Sequence, residues 1–235
     1  DLAAYLAGHD KAITALEIID SALLHALPDL KVISKFGVGY DMVDLEALAK
    51  HQVRLGWTGG VNKRSVSELV ISMAVALLRH VPMANEEVRS GTFRQHVGRQ
   101  LSDCTVGIIG CGHVGKDLAR LLRAFGCRVL ANDILDFPVF YDETGVTPAS
   151  LETLLKDSDV VTLHLQLDKT TKNILDQKHL GLMKQDAVLI NAARGGLVDE
   201  TALKSVLVSG ALAGAGFDVF RTEPPDDLEL LNLPN

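Results

Sequence analysis

The residues best suited to chemistry form a glycine-rich turn near the middle of the chain. The run is Gly110-Cys111-Gly112-His113-Val114-Gly115, which follows the apolar segment 106–109 and precedes a helical pattern that starts at Lys116. A helix that begins this way presents free backbone amides and the positive end of its dipole, which together attract anions. The turn therefore indicates a site for the pyrophosphate of a dinucleotide.

Each glycine of the turn has a distinct expected purpose. Gly110 permits the tight turn out of the strand, Gly112 leaves space for phosphate against the backbone, and Gly115 lets the helix lie close to the strand. His113 and Val114 are expected to line the phosphate as loop residues rather than to act in catalysis.

An acidic residue follows the next predicted strand. Asp133 comes after Arg128–Ala131, about 20 residues beyond the glycines, where a carboxylate binds both ribose hydroxyls. The same carboxylate repels the 2′-phosphate of NADP, so it predicts NAD as the cofactor. The alternative is that Asp133 only starts a turn, with Asp136 as the nearest competing acid.

A cationic side chain follows a third strand. Arg194 lies just past the predicted strand Ala187–Ile190, at the edge where ligands bind in open parallel sheets. A guanidinium group pairs with a carboxylate through two hydrogen bonds, so Arg194 is a candidate substrate ligand. A surface ion pair is the alternative.

Composition excludes several other classes of function. The 235 residues are 47% hydrophobic and 23% charged, with a formal charge of −7 and no run of lysine or arginine. Nucleic-acid binding needs concentrated positive charge, and no apolar run approaches the length of a membrane span. The chain begins without a basic leader, so we expect neither a nucleic-acid nor a membrane partner.

The three cysteines fit a reducing, cytoplasmic setting. Cys104, Cys111 and Cys127 match no zinc-binding spacing and no disulfide framework, so no metal is predicted. Cys111 is interpreted as a small loop residue, with redox sensing at the helix start as the alternative.

From residue 105 onward, short apolar strands alternate with helices, which predicts an α/β fold with a Rossmann-type doubly wound parallel sheet. The predicted strands are Thr105–Ile109, Arg128–Ala131, Val160–Leu165, Ala187–Ile190 and Ala213–Phe217, and the predicted helices are Val114–Phe125, Leu151–Lys156, Gln177–Met183 and Glu200–Ser209.

The first part of the chain looks like a smaller, incomplete α/β domain. Strands are predicted over Lys31–Ser34 and Val53–Leu55, with a helix from a cap at Asp44 to His51. The turn-rich Thr58–Gly60 marks the boundary, so residues 1–58 form a partial domain and residues 59–235 form the dinucleotide-binding domain.

A long apolar helix is predicted over residues 65–79. Ser65 and Glu68 have the spacing of a capping box. The helix is apolar almost all round, which is typical of burial on more than one side. We expect it to pass between two domains or to pack against a second subunit, and hence predict a homodimer.

Several motifs occur in one order along nearly the whole chain from residue 31, and together they resemble the D-isomer-specific 2-hydroxyacid dehydrogenase family, especially its phosphoglycerate-dehydrogenase branch. The matching segments are 36–41 (FGVGYD), 61–69 (VNKRSVSEL), 106–115 (VGIIGCGHVG), 163–167 (LHLQL), 190–196 (INAARGG) and 216–225 (GFDVFRTEPP). The resemblance implies an NAD-dependent oxidoreductase that transfers a hydride between NAD and a small D-2-hydroxy acid or 2-keto acid. The residues before 59 would then belong to the substrate domain.

The resemblance also implies roles for single residues. Arg194 would hold the substrate carboxylate and carbonyl oxygen, and Glu223 would orient a catalytic histidine. Val38 and Gly39 would offer backbone amides to the same carboxylate.

Three further residues would contact the cofactor. Asp218 and the backbone at Ala192 would bind the nicotinamide amide, and Thr171 would lie near the nicotinamide ribose or phosphate.

One expected group is missing from the motifs. In this family the histidine follows the glutamate in a Pro-His turn, and the sequence ends at Leu233-Pro234-Asn235 with none of its eight histidines in that place. We expect the 235 residues to be part of a longer polypeptide in which the histidine follows. His164 is interpreted as a packing or cofactor-wall residue.

Two other functions remain open from the sequence. One is a non-catalytic NAD-dependent binding protein, like the corepressors built on this fold. The other is a dehydrogenase of the same family that acts on formate or phosphite. Retention of Arg194 and Glu223 favours an enzyme over a binding protein, whereas a true absence of the histidine would favour the binding protein.

Overall fold

A computed structural model describes all residues, 1–235. The chain forms two compact units, Asp1–Asn62 and Lys63–Asn235. The structural division lies four residues after the predicted one, because Lys63 is already the first residue of a long helix.

The first unit is a small α/β layer. Its elements are α1 (Leu2–Leu6), β1 (Lys11–Thr14), α2 (Ser21–Ala26), β2 (Val32–Lys35), α3 (Leu45–Lys50) and β3 (Arg54–Gly56). The strands form a parallel sheet in the order β1-β2-β3. The carboxylate of Asp44 accepts a 2.9 Å hydrogen bond from the amide of Ala47, which confirms the predicted cap.

The second unit contains the other elements. They are α4 (Lys63–Leu78), α5 (Val81–Arg89), β4 (Thr105–Ile109), α6 (His113–Ala124), β5 (Arg128–Asn132), α7 (Pro138–Thr144), β6 (Thr147–Pro148), α8 (Leu151–Asp157), β7 (Val160–Leu163), α9 (Gln177–Leu180), β8 (Val188–Asn191), α10 (Glu200–Val208), β9 (Gly214–Phe217) and α11 (Leu228–Leu231), with a short 3-10 turn at Leu101–Asp103.

The six strands of this unit form one parallel sheet in the order β6-β5-β4-β7-β8-β9. The chain runs outward from β4 in one direction and then outward from β7 in the other, so the order reverses between these two strands. This is the doubly wound Rossmann arrangement, and the predicted fold class is confirmed.

Alternate strand residues enter two separate cores, as a sheet covered on both faces requires. On β4, Ile108 packs with Leu118 of α6 on one face, in a core that also holds residues of α4. Its neighbour Ile109 packs on the other face with Leu154 of α8 and Leu203 of α10.

The predicted helix 65–79 is present, but two details were wrong. The helix begins at Lys63, so Ser65 lies inside the first turn and cannot act as the cap of a capping box. The buried residues fall on one side, at Ser67, Val70, Ala74 and Leu78, so α4 is not buried all round.

The start of α4 is held by an ion pair with α6. The guanidinium of Arg64 donates two 2.9 Å hydrogen bonds to the two carboxylate oxygens of Asp117. These bonds lower the pKa of the buried Asp117 carboxyl below its usual value. The pair therefore ties the first turn of α4 to α6.

None of the helices, taken alone, combines the length and the apolar character of a membrane span. The consecutive helices α4 and α5 reach the required length and apolar character only together, and they meet at a bend of 61°.

Candidate active site

The predicted glycine turn joins β4 to α6. Gly110 has a φ of +98°, and a Cβ there would lie 2.7 Å from the carbonyl oxygen of His164. A Cβ at Gly115 would overlap the carbonyl oxygen of Gly110, whereas one at Gly112 would meet nothing within 4 Å. The first and third glycines are therefore required by the protein's own packing, and the second leaves open space above the turn.

The first turn of α6 is suited to an anion. The helix has 12 residues, begins at His113 after Gly112, and has no side chain bonded to its first amides. His113 is exposed and Val114 is half-buried. These free amides, together with the space over Gly112, fit the pyrophosphate of NAD.

Asp133 lies beside the turn, at the end of β5. One carboxylate oxygen accepts a 2.6 Å hydrogen bond from the amide of Cys111, and the other accepts a 2.9 Å bond from the amide of Leu135. The carboxylate therefore starts a turn and also adjoins the phosphate loop. Its role toward the ribose stays a prediction.

Arg194 is carried by a turn directly after β8. The buried side chain of Asn191 spans this turn, because its amide donates to the carbonyl of Arg194 at 2.9 Å and its oxygen accepts from the amide of Ala193 at 3.1 Å. The guanidinium donates a 2.6 Å bond to the carbonyl of Ala193. Sequence reasoning missed Asn191; its signal was a polar residue ending an otherwise apolar strand.

The segment after β9 brings the two predicted acids to the same edge of the sheet. The amide of Asp218 donates a 3.0 Å hydrogen bond to the carbonyl of Asn191, so this segment adjoins the turn that carries Arg194. Both acids are exposed. The carboxylate of Glu223 accepts a 3.0 Å bond from the amide of Phe220.

For the other residues predicted to contact cofactor or substrate, the structure shows only their local surroundings. The hydroxyl of Thr171 donates a 2.7 Å bond to the carbonyl of Gln166 within its own loop, and Ala192 is half-buried at the end of β8. Val38 and Gly39 follow β2 in the first unit. Their roles at a cofactor or substrate stay predictions.

Two titratable groups near the turn are disfavoured as reactive centres. Burial lowers the pKa of His164 to about 4, so this histidine is neutral at physiological pH, and it lies 3.1 Å from the hydroxyl of Thr162. Burial raises the pKa of the Cys111 thiol to about 11. Because a redox-sensing cysteine needs an accessible thiolate, the burial of Cys111 disfavours that alternative.

The chain is similar to a well-populated group of proteins. Residues 71–235 match the family model described as D-isomer specific 2-hydroxyacid dehydrogenase, NAD binding domain. The chain is 36% identical over 226 residues to a glyoxylate reductase of Thermococcus litoralis, covering 92% of this chain and 68% of that protein. It is 36% identical over 214 residues to a D-3-phosphoglycerate dehydrogenase of Bacillus subtilis, covering 90% of this chain and 41% of that protein.

The chain is also similar to a solved structure of a dehydrogenase. The D-lactate dehydrogenase from Aquifex aeolicus, complexed with NAD and lactic acid, matches with a TM-score of 0.89 and 30% identity, over 98% of this chain and 74% of that one. The chain therefore spans only part of each of these proteins.

A first prediction separates the two kinds of glycine. Gly112→Ala should leave the melting temperature unchanged, because its methyl group meets no protein atom, and should weaken NAD binding about tenfold, or about 1.4 kcal/mol, by filling the phosphate space. Gly115→Ala should instead lower the melting temperature. Calorimetric NAD titration and thermal unfolding measure both effects, and unchanged NAD affinity in Gly112→Ala would contradict the assignment.

A second prediction concerns Asp133. Asp133→Asn keeps an acceptor for the Cys111 amide but removes the charge, so discrimination against NADP should relax about tenfold. Asp133→Ala should also lose the loop contact and weaken NAD binding further. Dissociation constants for both cofactors measure the difference, with Asp136→Asn as the control at a neighbouring exposed acid. The same NAD preference in Asp133→Asn as in the unaltered protein would refute the role.

Proposed function

The chain belongs to the D-isomer specific 2-hydroxyacid dehydrogenase family of NAD-dependent enzymes, and we propose that Arg194 and Glu223 are its catalytic side chains. The observation that carries this proposal is the hydrogen bond from the Asp218 amide to the carbonyl of Asn191. It joins the segment that leads to Glu223 with the turn that carries Arg194, beside the expected cofactor site.

Arg194 has the chemistry needed at a 2-keto acid. Its guanidinium binds the substrate carboxylate and carbonyl oxygen, and it stabilises the negative charge that develops on that oxygen. NAD, when bound, supplies or accepts the hydride at its nicotinamide ring. Reduction of the ketone is completed by one proton, which needs an acid with a pKa near neutrality.

Glu223 is proposed to support that acid. A carboxylate beside a histidine stabilises the imidazolium and raises its pKa. In the family motif that the sequence resembles, this histidine lies downstream of the glutamate. Asp218, Ala192 and Thr171 are proposed to hold the nicotinamide half of the cofactor.

The substrate is proposed to be a small 2-keto acid or the corresponding D-2-hydroxy acid. The named relatives are a glyoxylate reductase and a D-3-phosphoglycerate dehydrogenase, and the matching structure holds lactic acid. All three names refer to 2-hydroxy or 2-keto carboxylates, which a guanidinium can bind through the carboxylate. Residues 1–58 are proposed to belong to the substrate domain, with the amides of Val38 and Gly39 as further carboxylate ligands.

A homodimer is proposed through the outer side of α4. Val75 is 38% exposed there, Val81 at the start of α5 is 53% exposed, and Phe125 after α6 is 48% exposed. Together with Ile71 and Leu121 they line an apolar groove. An exposed apolar surface of this kind suits a second copy of the same face about a twofold axis. A cytoplasmic location is proposed from the three buried free thiols.

The activity is tested with full-length protein, glyoxylate, pyruvate and 3-phosphohydroxypyruvate by following NADH oxidation. Arg194→Lys should lower kcat/KM about 100-fold, since lysine lacks the two-pronged guanidinium, while NAD affinity is retained. Arg128→Lys, at the amino edge of the sheet, is the matched control. No turnover with any of the acids, or full activity in Arg194→Lys, would refute the proposal.

The dimer is tested by measuring molecular mass in solution at micromolar concentration. Val75→Asp should yield a monomer, because a charge would be buried in the proposed interface. Val139→Asp, at an exposed valine of α7, should remain a dimer. A monomeric unaltered protein, or an unchanged mass in Val75→Asp, would exclude this interface.

A further inference from the structure

We propose that Glu200 is a positioning residue that holds the segment carrying Glu223 in place relative to Arg194. The inference rests on the proposed function, because the distance between Arg194 and Glu223 matters only if both side chains are catalytic. Glu200 would act on a single peptide unit, between Phe220 and Arg221, and would not itself touch substrate or cofactor.

The first contact is the hydrogen bond of Glu200 itself. Glu200 is the first residue of α10, and its carboxylate accepts a 2.6 Å hydrogen bond from the amide of Arg221. A charged acceptor makes such a bond stronger than a bond between neutral groups. The bond therefore ties the segment after β9 to a helix that is anchored in the core through Leu203 and Leu207.

The second contact is made by Gly195, the neighbour of Arg194. A Cβ at Gly195 would overlap the carbonyl carbon and oxygen of Phe220, and it would lie 2.6 Å from the nitrogen of Arg221. The backbone of Gly195 thus packs directly on the peptide whose N–H group Glu200 holds. This peptide is fixed from the side of the Arg194 turn and from the side of α10.

The third contact involves Glu223. Its carboxylate accepts a bond from the amide of Phe220, one residue before the amide that Glu200 binds. The Phe220–Arg221 peptide is therefore a common support, with Arg194 adjoining it through Gly195 and Glu223 lying two residues beyond it. Movement of this peptide would change the distance between the guanidinium and the carboxylate.

The segment needs such a support because the sheet ends before it. The ladder of β9 with β8 ends at Phe217, paired with Asn191, and the amide of Asp218 makes the last bond to β8. Arg221 and Glu223 are exposed. Without Glu200, the Arg221 amide would lose its protein acceptor and the segment would gain freedom.

A merely local role for Glu200 makes a different prediction. An acid in the first turn of a helix interacts favourably with the helix dipole, and this would stabilise α10 without affecting catalysis. The N-terminus of α10 already has a cap, since the carboxylate of Asp199 accepts from the amides of Thr201 and Ala202. Glu152, in the first turn of α8, provides the matched control for a dipole effect.

The test uses full-length protein with Glu200→Ala, Glu200→Gln and Glu152→Ala. Glu200→Ala should lower kcat about tenfold and leave the KM for NADH unchanged, since the glycine turn is not altered and Asp218 keeps its own backbone bond to Asn191. Glu200→Gln keeps a side-chain acceptor and should retain activity within about twofold. Equal losses in Glu200→Ala and Glu152→Ala, or unchanged kcat in Glu200→Ala, would overturn the proposal.

A pH profile and a double variant show whether the effect passes through Glu223. Ketone reduction needs a protonated histidine, so kcat/KM falls as pH rises through the pKa of that histidine. A displaced Glu223 stabilises the imidazolium less, so in Glu200→Ala this decline should occur at lower pH. In a Glu223→Gln background, Glu200→Ala should have little further effect. A full additional loss there would overturn the proposal.

Hydrogen exchange provides a readout that is independent of activity. The amide of Arg221 should exchange about tenfold faster in Glu200→Ala than in the unaltered protein, and Glu200→Gln should stay close to the unaltered rate. Unchanged exchange in Glu200→Ala would show that Glu200 does not hold the segment. Absence of turnover in the unaltered protein would instead refute the proposed function, and the exchange rates would still decide whether Glu200 holds the peptide.

Discussion

The carboxyl edge of the six-stranded sheet depends on backbone hydrogen bonds that continue just past the ends of the strands. They run from the amide of Gly110 to the carbonyl of Asn132, from His164 to Ile109, and from Asp218 to Asn191. These bonds fix where the chain leaves the sheet, and so they fix where the loops that carry the site begin. The rigid edge of the sheet therefore determines the backbone positions of the site, and these positions determine where its side chains start.

Much of the second unit could be predicted because its signals are local. Strand β4 was predicted over its observed range because a buried apolar run ends there at a glycine. Helices α5 and α7 were missed for different reasons. Helix α5 has a proline in its first turn but no buried residues, so it lacks a burial pattern. Helix α7 has Pro138 at its start, buried residues and Gly145 at its end, which are usable signals.

The site was less predictable, because its supports act across the fold. The motifs identified Arg194, Glu223 and Asp133 by type and position, but no motif indicates that Glu200 and Gly195 hold the same peptide. The pair of Arg64 with Asp117 is another contact of this kind, since Asp117 lies 53 residues further along the chain. Contacts of this kind depend on which elements are neighbours in space, which local pattern does not specify.

The burial of every thiol has a practical consequence for biophysical work on this protein. Cys104, Cys111 and Cys127 are at most 3% exposed, and burial raises the pKa of each, so none presents a thiolate to an alkylating reagent. A cysteine introduced at the surface would then be the one thiol that a maleimide dye modifies in the native state. Two such cysteines, one on each compact unit, would carry a dye pair. The pair would report the distance between the two labelled positions during turnover, without prior removal of native cysteines.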